Sequence, residues 1–158
     1  TQESGSQTNV AGITQTGNSN TATVTQQFTS QSNTATVGQT GDNNLAAVVQ
    51  NSGPTANIAT LTQTGNSNTA TVSQQFGAQS NTATIGQSGT ANTGTVTQES
   101  SSFTNTASIT QSGSGNTGSI TQEFSASKGQ AFITQAGASG TATITQRNFI
   151  DNAVAYIN

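Results

Sequence analysis

The stretch TQTGNSNTATVTQQF at 14–28 returns at 62–76 as TQTGNSNTATVSQQF, an offset of 48 residues with one exchange, Thr25 against Ser73. A chain that repeats itself this closely must place equivalent residues in equivalent surroundings, so the repeat is settled before any other feature. Aligned on a leading asparagine, NVAGITQ (9–15), NTATVTQ (20–26), NTATVGQ (33–39), NLAAVVQ (44–50), NIATLTQ (57–63), NTATVSQ (68–74) and NTATIGQ (81–87) superpose. NTGTVTQ (92–98), NTASITQ (105–111), NTGSITQ (116–122), GQAFITQ (129–135), GTATITQ (140–146) and NAVAYIN (152–158) complete thirteen segments. Their starts step alternately by 11 and 13, so two segments with their connectors make 24 residues; only the last step, from 140 to 152, is 12. Residues 1–8 read as an N-terminal partial repeat or leader, because Thr1 and Gln2 fall where Thr25 and Gln26 fall one period later.

Within each segment Asn, Ala, a branched aliphatic and Gln alternate with Thr or Ser, the period of 2 of a β-strand. β-branched Thr, Val and Ile favour the same state. A helix would need apolar residues three and four apart, whereas Ala22 and Val24, or Ala83 and Ile85, are two apart. Connectors alternate between four residues, such as TGNS at 16–19, and six, such as QFTSQS at 27–32, with Gly, Asn and Ser supplying turn geometry. A hairpin meander would pair successive strands and give no reason for like to match like at 24. A coil lays each strand on the next but one, stacking equal residues at about 4.8 Å in each of two parallel sheets. The expected fold is all-β, a two-sheet parallel β-solenoid of about 6.5 rungs, roughly 31 Å long with strands about 23 Å across.

Stacking accounts for the amides. Asn9, Asn33, Asn57, Asn81 and Asn105 form one inward column and Asn20, Asn44, Asn68, Asn92 and Asn116 another, each side chain expected to bond the amides above and below. Gln15 through Gln146 do the same at the other end of each strand, with Ala and a branched aliphatic between. Buried amides are tolerable when every one is paired. Glu3, Asp42, Glu99, Glu123, Lys128, Arg147, Asp151 and the single proline, Pro54, all fall outside the segments. There they avoid like-charge stacking in the strands and the loss of a ladder hydrogen bond.

The repeat also bounds function. The chain is 28% hydrophobic and 4% charged, unlike both an ordinary globular domain and the usual charge-rich disordered segment. With no Cys and no His, thiolate metal sites and the usual bases for Ser or Thr nucleophiles are missing, and five scattered carboxylates form no recognisable pair, so an enzyme and a bound cofactor are not expected. Two cations, Lys128 and Arg147, against a net charge of −3 argue against nucleic acid. No apolar run reaches the roughly 18 to 20 residues of a membrane span, and no signal-peptide pattern is present, which leaves a cytosolic chain or a processed one. Neither end of the repeat offers a capping helix or a charged strand, so the terminal strands, with Asn9, Ala11 and Ile13 at one end and Val154 and Tyr156 at the other, are the expected polymerisation interface.

The motif condenses to QxGxxNxAxxxQ, as in Gln15, Gly17, Asn20, Ala22 and Gln26, again in Gln39, Gly41, Asn44, Ala46 and Gln50, and in Gln63, Gly65, Asn68, Ala70 and Gln74. Gln87, Gly89, Asn92 and Gln98, then Gln111, Gly113, Asn116 and Gln122, keep it with Gly94 and Gly118 in place of Ala. Gln135, Gly137, Ala142 and Gln146 keep it with Gly140 in place of Asn. Six tandem copies in one register resemble the curlin repeat of bacterial curli, the extracellular amyloid of biofilms. The resemblance implies a secreted, self-assembling fibre subunit at the bacterial surface. It also implies passage through the outer-membrane curli secretion pore and templating by a minor curlin nucleator. A second expectation comes from the outward threonines, including Thr69/Thr71/Ser73, Thr93/Thr95/Thr97 and Thr141/Thr143/Thr145, whose grid resembles the face of solenoid ice-binding proteins. In that alternative the chain is a monomeric ice binder.

Overall fold

The computed structural model describes residues 1, 8–27, 32–51, 56–124, 126–147 and 151–158. Residues 2–7 of the partial repeat, with Glu3, and also Phe28 and Pro54, lie outside the described residues. The strands are β1 (Val10–Thr16), β2 (Thr21–Gln26), β3 (Thr34–Thr40), β4 (Leu45–Asn51), β5 (Ile58–Asn66), β6 (Thr69–Gln75) and β7 (Thr82–Thr90). They continue with β8 (Thr93–Gln98), β9 (Thr106–Ser114), β10 (Thr117–Gln122), β11 (Gln130–Ala138), β12 (Thr141–Gln146) and β13 (Val154–Ile157). Odd strands form a seven-stranded sheet in the order β1-β3-β5-β7-β9-β11-β13, and even strands a six-stranded one from β2 to β12. All described pairings are parallel and carry a residue onto its counterpart one period on: Ala35 lies beside Ala59 and Ala59 beside Ala83, Gln39 beside Gln63 and Gln63 beside Gln87. Strands adjacent in sequence therefore belong to opposite sheets, and the chain is a β-solenoid.

Burial alternates along the strands, as in β6, where Ala70, Val72 and Gln74 are buried and the residues between them are half-buried. The core between the sheets is two rows of alanines and branched aliphatics, with Ala46, Val48, Ala70, Val72, Ala83, Ile85 and Val96 fully enclosed. So narrow a core couples residue sizes across it. A Cβ added at Gly94 would sit 2.9 Å from Ile85 Cγ2, and one at Gly118 would sit 3.1 Å from Ile109 Cγ2. The rungs with Val37 and Leu61 carry Ala46 and Ala70 at the corresponding positions. The glycines at 94 and 118 thus spare Ile85 and Ile109 a close contact, whereas Ile133 has Ala142 at the corresponding position.

The last segment departs by one residue from the asparagine-anchored alignment. β13 pairs with β11 as Gln130 with Val154, Ala131 with Ala155, Phe132 with Tyr156 and Ile133 with Ile157, so the final step runs 13 residues from Gly140 to Ala153. A one-residue change of register exchanges the faces of a strand. Val154 and Tyr156 accordingly point outward, 54% and 64% exposed, while Ala155 and Ile157 pack against the core. The physical reason is size. This register continues the alanine and isoleucine columns and stacks Tyr156 on Phe132, ring centroids 4.9 Å apart at 11°, whereas the other would drive a tyrosine between sheets only about 10 Å apart. Asn152, with φ 55°, takes the left-handed connector position held by Thr104 and Lys128 in earlier rungs.

Candidate functional site: amide ladders and open edges

Among the described residues the polar groups gather in columns rather than at a point. The two glutamine columns are continuous amide ladders. Gln15 Nε2 donates to Gln39 Oε1 at 2.6 Å, Gln39 to Gln63 at 2.8 Å, and Gln63, Gln87 and Gln111 each to the next at 2.9 Å, ending on Gln135. On the other side Gln26, Gln50, Gln74, Gln98 and Gln122 each donate one rung on at 2.7–2.9 Å, ending on Gln146. From Gln26 to Gln146 each Nε2 also reaches across to a backbone carbonyl of the facing sheet, as Gln74 to Ile58 and Gln87 to Thr69. The two sheets are thereby tied together where the aliphatic core ends.

The two asparagine columns differ, which the sequence reading did not anticipate. In both, Oδ1 accepts the backbone N–H of the asparagine one rung on: Asn57 N to Asn33 at 2.7 Å, Asn92 N to Asn68 at 3.0 Å. Amide-to-amide bonds run through the even-sheet column, where Asn44, Asn68, Asn92 and Asn116 donate Nδ2 to the previous asparagine at 3.1–3.2 Å. Their Nδ2 also reaches a glycine carbonyl in the next rung, Asn44 to Gly65 and Asn92 to Gly113. In the other column Nδ2 spends itself on the corner carbonyls of Ala78, Ser102 and Ala126, each at 3.0 Å from Asn57, Asn81 and Asn105. Those three small residues are fully enclosed and fill the six-residue corner. Sequence reading missed them, though a column of small residues at one connector position was the available signal. The connector phenylalanines Phe76 and Phe124 do not pack the corner: they are 64% and 51% exposed, because the small residues already occupy the interior.

Both asparagine columns stop before the C-terminal end. Gly129 N and Gly140 N take the oxygens of Asn105 and Asn116, at 2.7 and 2.9 Å, and Ala153 holds the asparagine place in the last strand. Charges outside the strands are not wholly separated either. Glu99 N bonds Gln122 O and Glu123 N bonds Gln146 O, so these two carboxylates extend the ladder and stack one rung apart. Ser73 Oγ donates to Glu99, and Arg147 Nε lies 3.4 Å from Glu123, relieving the repulsion. A weaker pair joins Lys128 to Asp151 at 4.0 Å.

The terminal strands are the second feature. Within the seven-stranded sheet each outward residue sends its N–H toward the C-terminal end, as Val10 to Asn33 O, Thr34 to Asn57 O and Gln130 to Ala153 O. In β13 those outward residues are Val154 and Tyr156; in β1 the residues facing the opposite end are Ala11 and Ile13. Val10, Ile13, Val154 and Tyr156 are all exposed apolar side chains. Of the sequence-expected interface, Asn9, Ala11 and Ile13 lie together on the outermost N-terminal rung, with Val154 and Tyr156 at the far end of the same sheet. The threonine grid lies where expected, outward on the six-stranded sheet and broken by Leu45, Ala47 and Val49 of β4. Among the described residues no cluster of three or more acidic, His or Cys residues could hold a metal ion, and no helix is long and apolar enough to cross a membrane.

Fold and columns define a class: a parallel β-solenoid whose interior is held by carboxamide ladders. Residues 104–147, which span β9 to β12, match the family model of the curlin associated repeat. The same motif continues in the same register from β1 to β12, so the stretch that matches is one part of a coil built throughout on a single pattern. No curated protein matches it.

Proposed function

We propose that this chain is a structural subunit of an extracellular curli-like amyloid fibre, adding end to end at its terminal strands and serving adhesion and matrix formation at a bacterial surface. The observation that carries the reading is the unbroken like-on-like register from β1 to β13, ending in two exposed apolar strands with complementary edge groups. An open edge of this kind recruits another strand. The curlin repeat supports a secreted destination, an outer-membrane pore and a minor curlin nucleator as partners, with copies of the chain itself as the principal one. The role is mechanical, and neither a cofactor nor catalysis enters it.

Electron micrographs and fibre diffraction of the purified chain test it: the expected result is unbranched fibres with a meridional repeat near 4.8 Å. Chains that remain monomeric at high concentration, and depress freezing below melting, would instead establish the threonine grid of the six-stranded sheet as an ice-binding face.

A further inference from the structure

Resting on that reading, we infer the register of the joint between copies: β13 of one chain pairs in parallel with β1 of the next, Val154 beside Val10, Ala155 beside Ala11, Tyr156 beside Gly12 and Ile157 beside Ile13. Three independent features select this pairing. The backbone phase fits, because outward residues of every odd strand direct N–H toward the C-terminal end and accept their partners from inward-facing positions of the next strand. The inward side chains fit, because Ala155 and Ile157 already continue the columns of Ala131 and Ile133, and Ala11 and Ile13 begin those of Ala35 and Val37. A slip of one residue would turn all four to solvent. A slip of two would set Ile157 over an alanine or a polar position.

The outward faces fit as well. Tyr156 stacks on Phe132 through one face of its ring. The rung beyond would bring Gly12, where a built Cβ meets nothing within 4 Å, so the ring has open backbone to lie against. Aromatic side chains beside an edge glycine recover the packing the glycine lacks.

Among the described residues the joint is carried by the seven-stranded sheet. On the six-stranded side the rung next to β2 is occupied, among the described residues, only by Thr1, whose carbonyl accepts Gln26 N at 2.9 Å. At the opposite end a notch lined by Gln135, Gly140, Ala142 and Ile157 opens beside β12. The asparagine columns do not cross the joint, since Gly129, Gly140 and Ala153 hold their places. The joint thus lacks the amide bonds that tie the rungs from Asn20 to Asn116.

The chain has no cysteine, so a Val10→Cys/Val154→Cys double variant reports the joint directly. Within one molecule these outward positions are six rungs apart, about 29 Å, so any disulfide is between copies. Mild oxidation of its fibres is expected to give a ladder of covalent multimers on non-reducing gels. Thr14→Cys/Val154→Cys, displaced four residues along the strand and so by about 13 Å, is expected to give none, being out of disulfide reach. Fibres in which the 14/154 pair links as well as or better than 10/154, or in which 10/154 never links, overturn the register while leaving end-to-end assembly standing. A wild-type chain that forms no fibres overturns both.

Discussion

The two kinds of corner solve the same problem with different residues. In each, the residue just before the asparagine position is left-handed, as Ser67 (φ 57°) in a four-residue corner and Ser80 (φ 54°) in a six-residue one. In each, an asparagine Nδ2 bonds the carbonyl 21 residues on: Asn44 to Gly65 at 2.7 Å, Asn57 to Ala78 at 3.0 Å. The final turn is thus shared. In the short corner that carbonyl belongs to a glycine such as Gly89, whose φ of 109° and close approach to Gly113 leave no room for a Cβ. In the long corner it belongs to a buried small residue, and the extra residues, Phe76 and Gly77 among them, bulge away from the core. The difference separates what the coil demands from what it tolerates: aromatic and charged residues collect in the long corners because their side chains there leave the stack undisturbed.

Four substitutions would break or sharpen that contrast, read from urea midpoints of the freshly desalted chain. Gly89→Ala forces a side chain into the Gly113 backbone and a glycine-only conformation, and is expected to cost about 3 kcal/mol or more. A midpoint within error of wild type would mean the short corners do not stack. Asn92→Ala should cost about 3 kcal/mol and Asn105→Ala about 2 kcal/mol. Both leave a backbone N–H and a corner carbonyl unpaired, but only Asn92 also exchanges amide bonds with Asn68 and Asn116. Equal losses would deny the difference between the columns. Phe76→Ser, at an exposed bulge, should stay within about 0.5 kcal/mol; a larger loss would restore the packing role that its exposure denies.

A further contrast separates the ends. Ala155→Lys/Ile157→Lys places charge in the inward columns and is expected to abolish seeded elongation. Val154→Lys/Tyr156→Lys, directed to solvent, should slow it less. The reverse order would favour the asparagine-anchored register of the last segment.

Much of this was legible in the sequence because the stack makes chemistry periodic. A strand that lies on its own copy must carry a side chain compatible with itself at 4.8 Å. Asn, Gln and Gly therefore recur visibly at 24, and strands, sheets and glutamine ladders follow. Three things did not. Ala78, Ser102 and Ala126 share only smallness, so no residue type marks their column. Asn152 imitates the motif but sits one place early, and only the sizes of Tyr156 and Ile157 decide which face each takes. The asparagines look alike in sequence, yet the carbonyl that the adjoining corner presents decides whether they bond one another.

The central claim is that each residue lies beside its counterpart one period along rather than beside its sequence neighbour. Nitroxide labels on Thr71→Cys/Thr95→Cys, outward positions paired between β6 and β8, in a chain diluted among unlabelled copies, test it most directly. Strong spin–spin broadening is the result expected for labels about 4.8 Å apart at the backbone, with none for Thr60→Cys/Thr71→Cys, which occupy opposite outer faces. Broadening for 60/71 and none for 71/95 would mean antiparallel hairpins, and would contradict the solenoid.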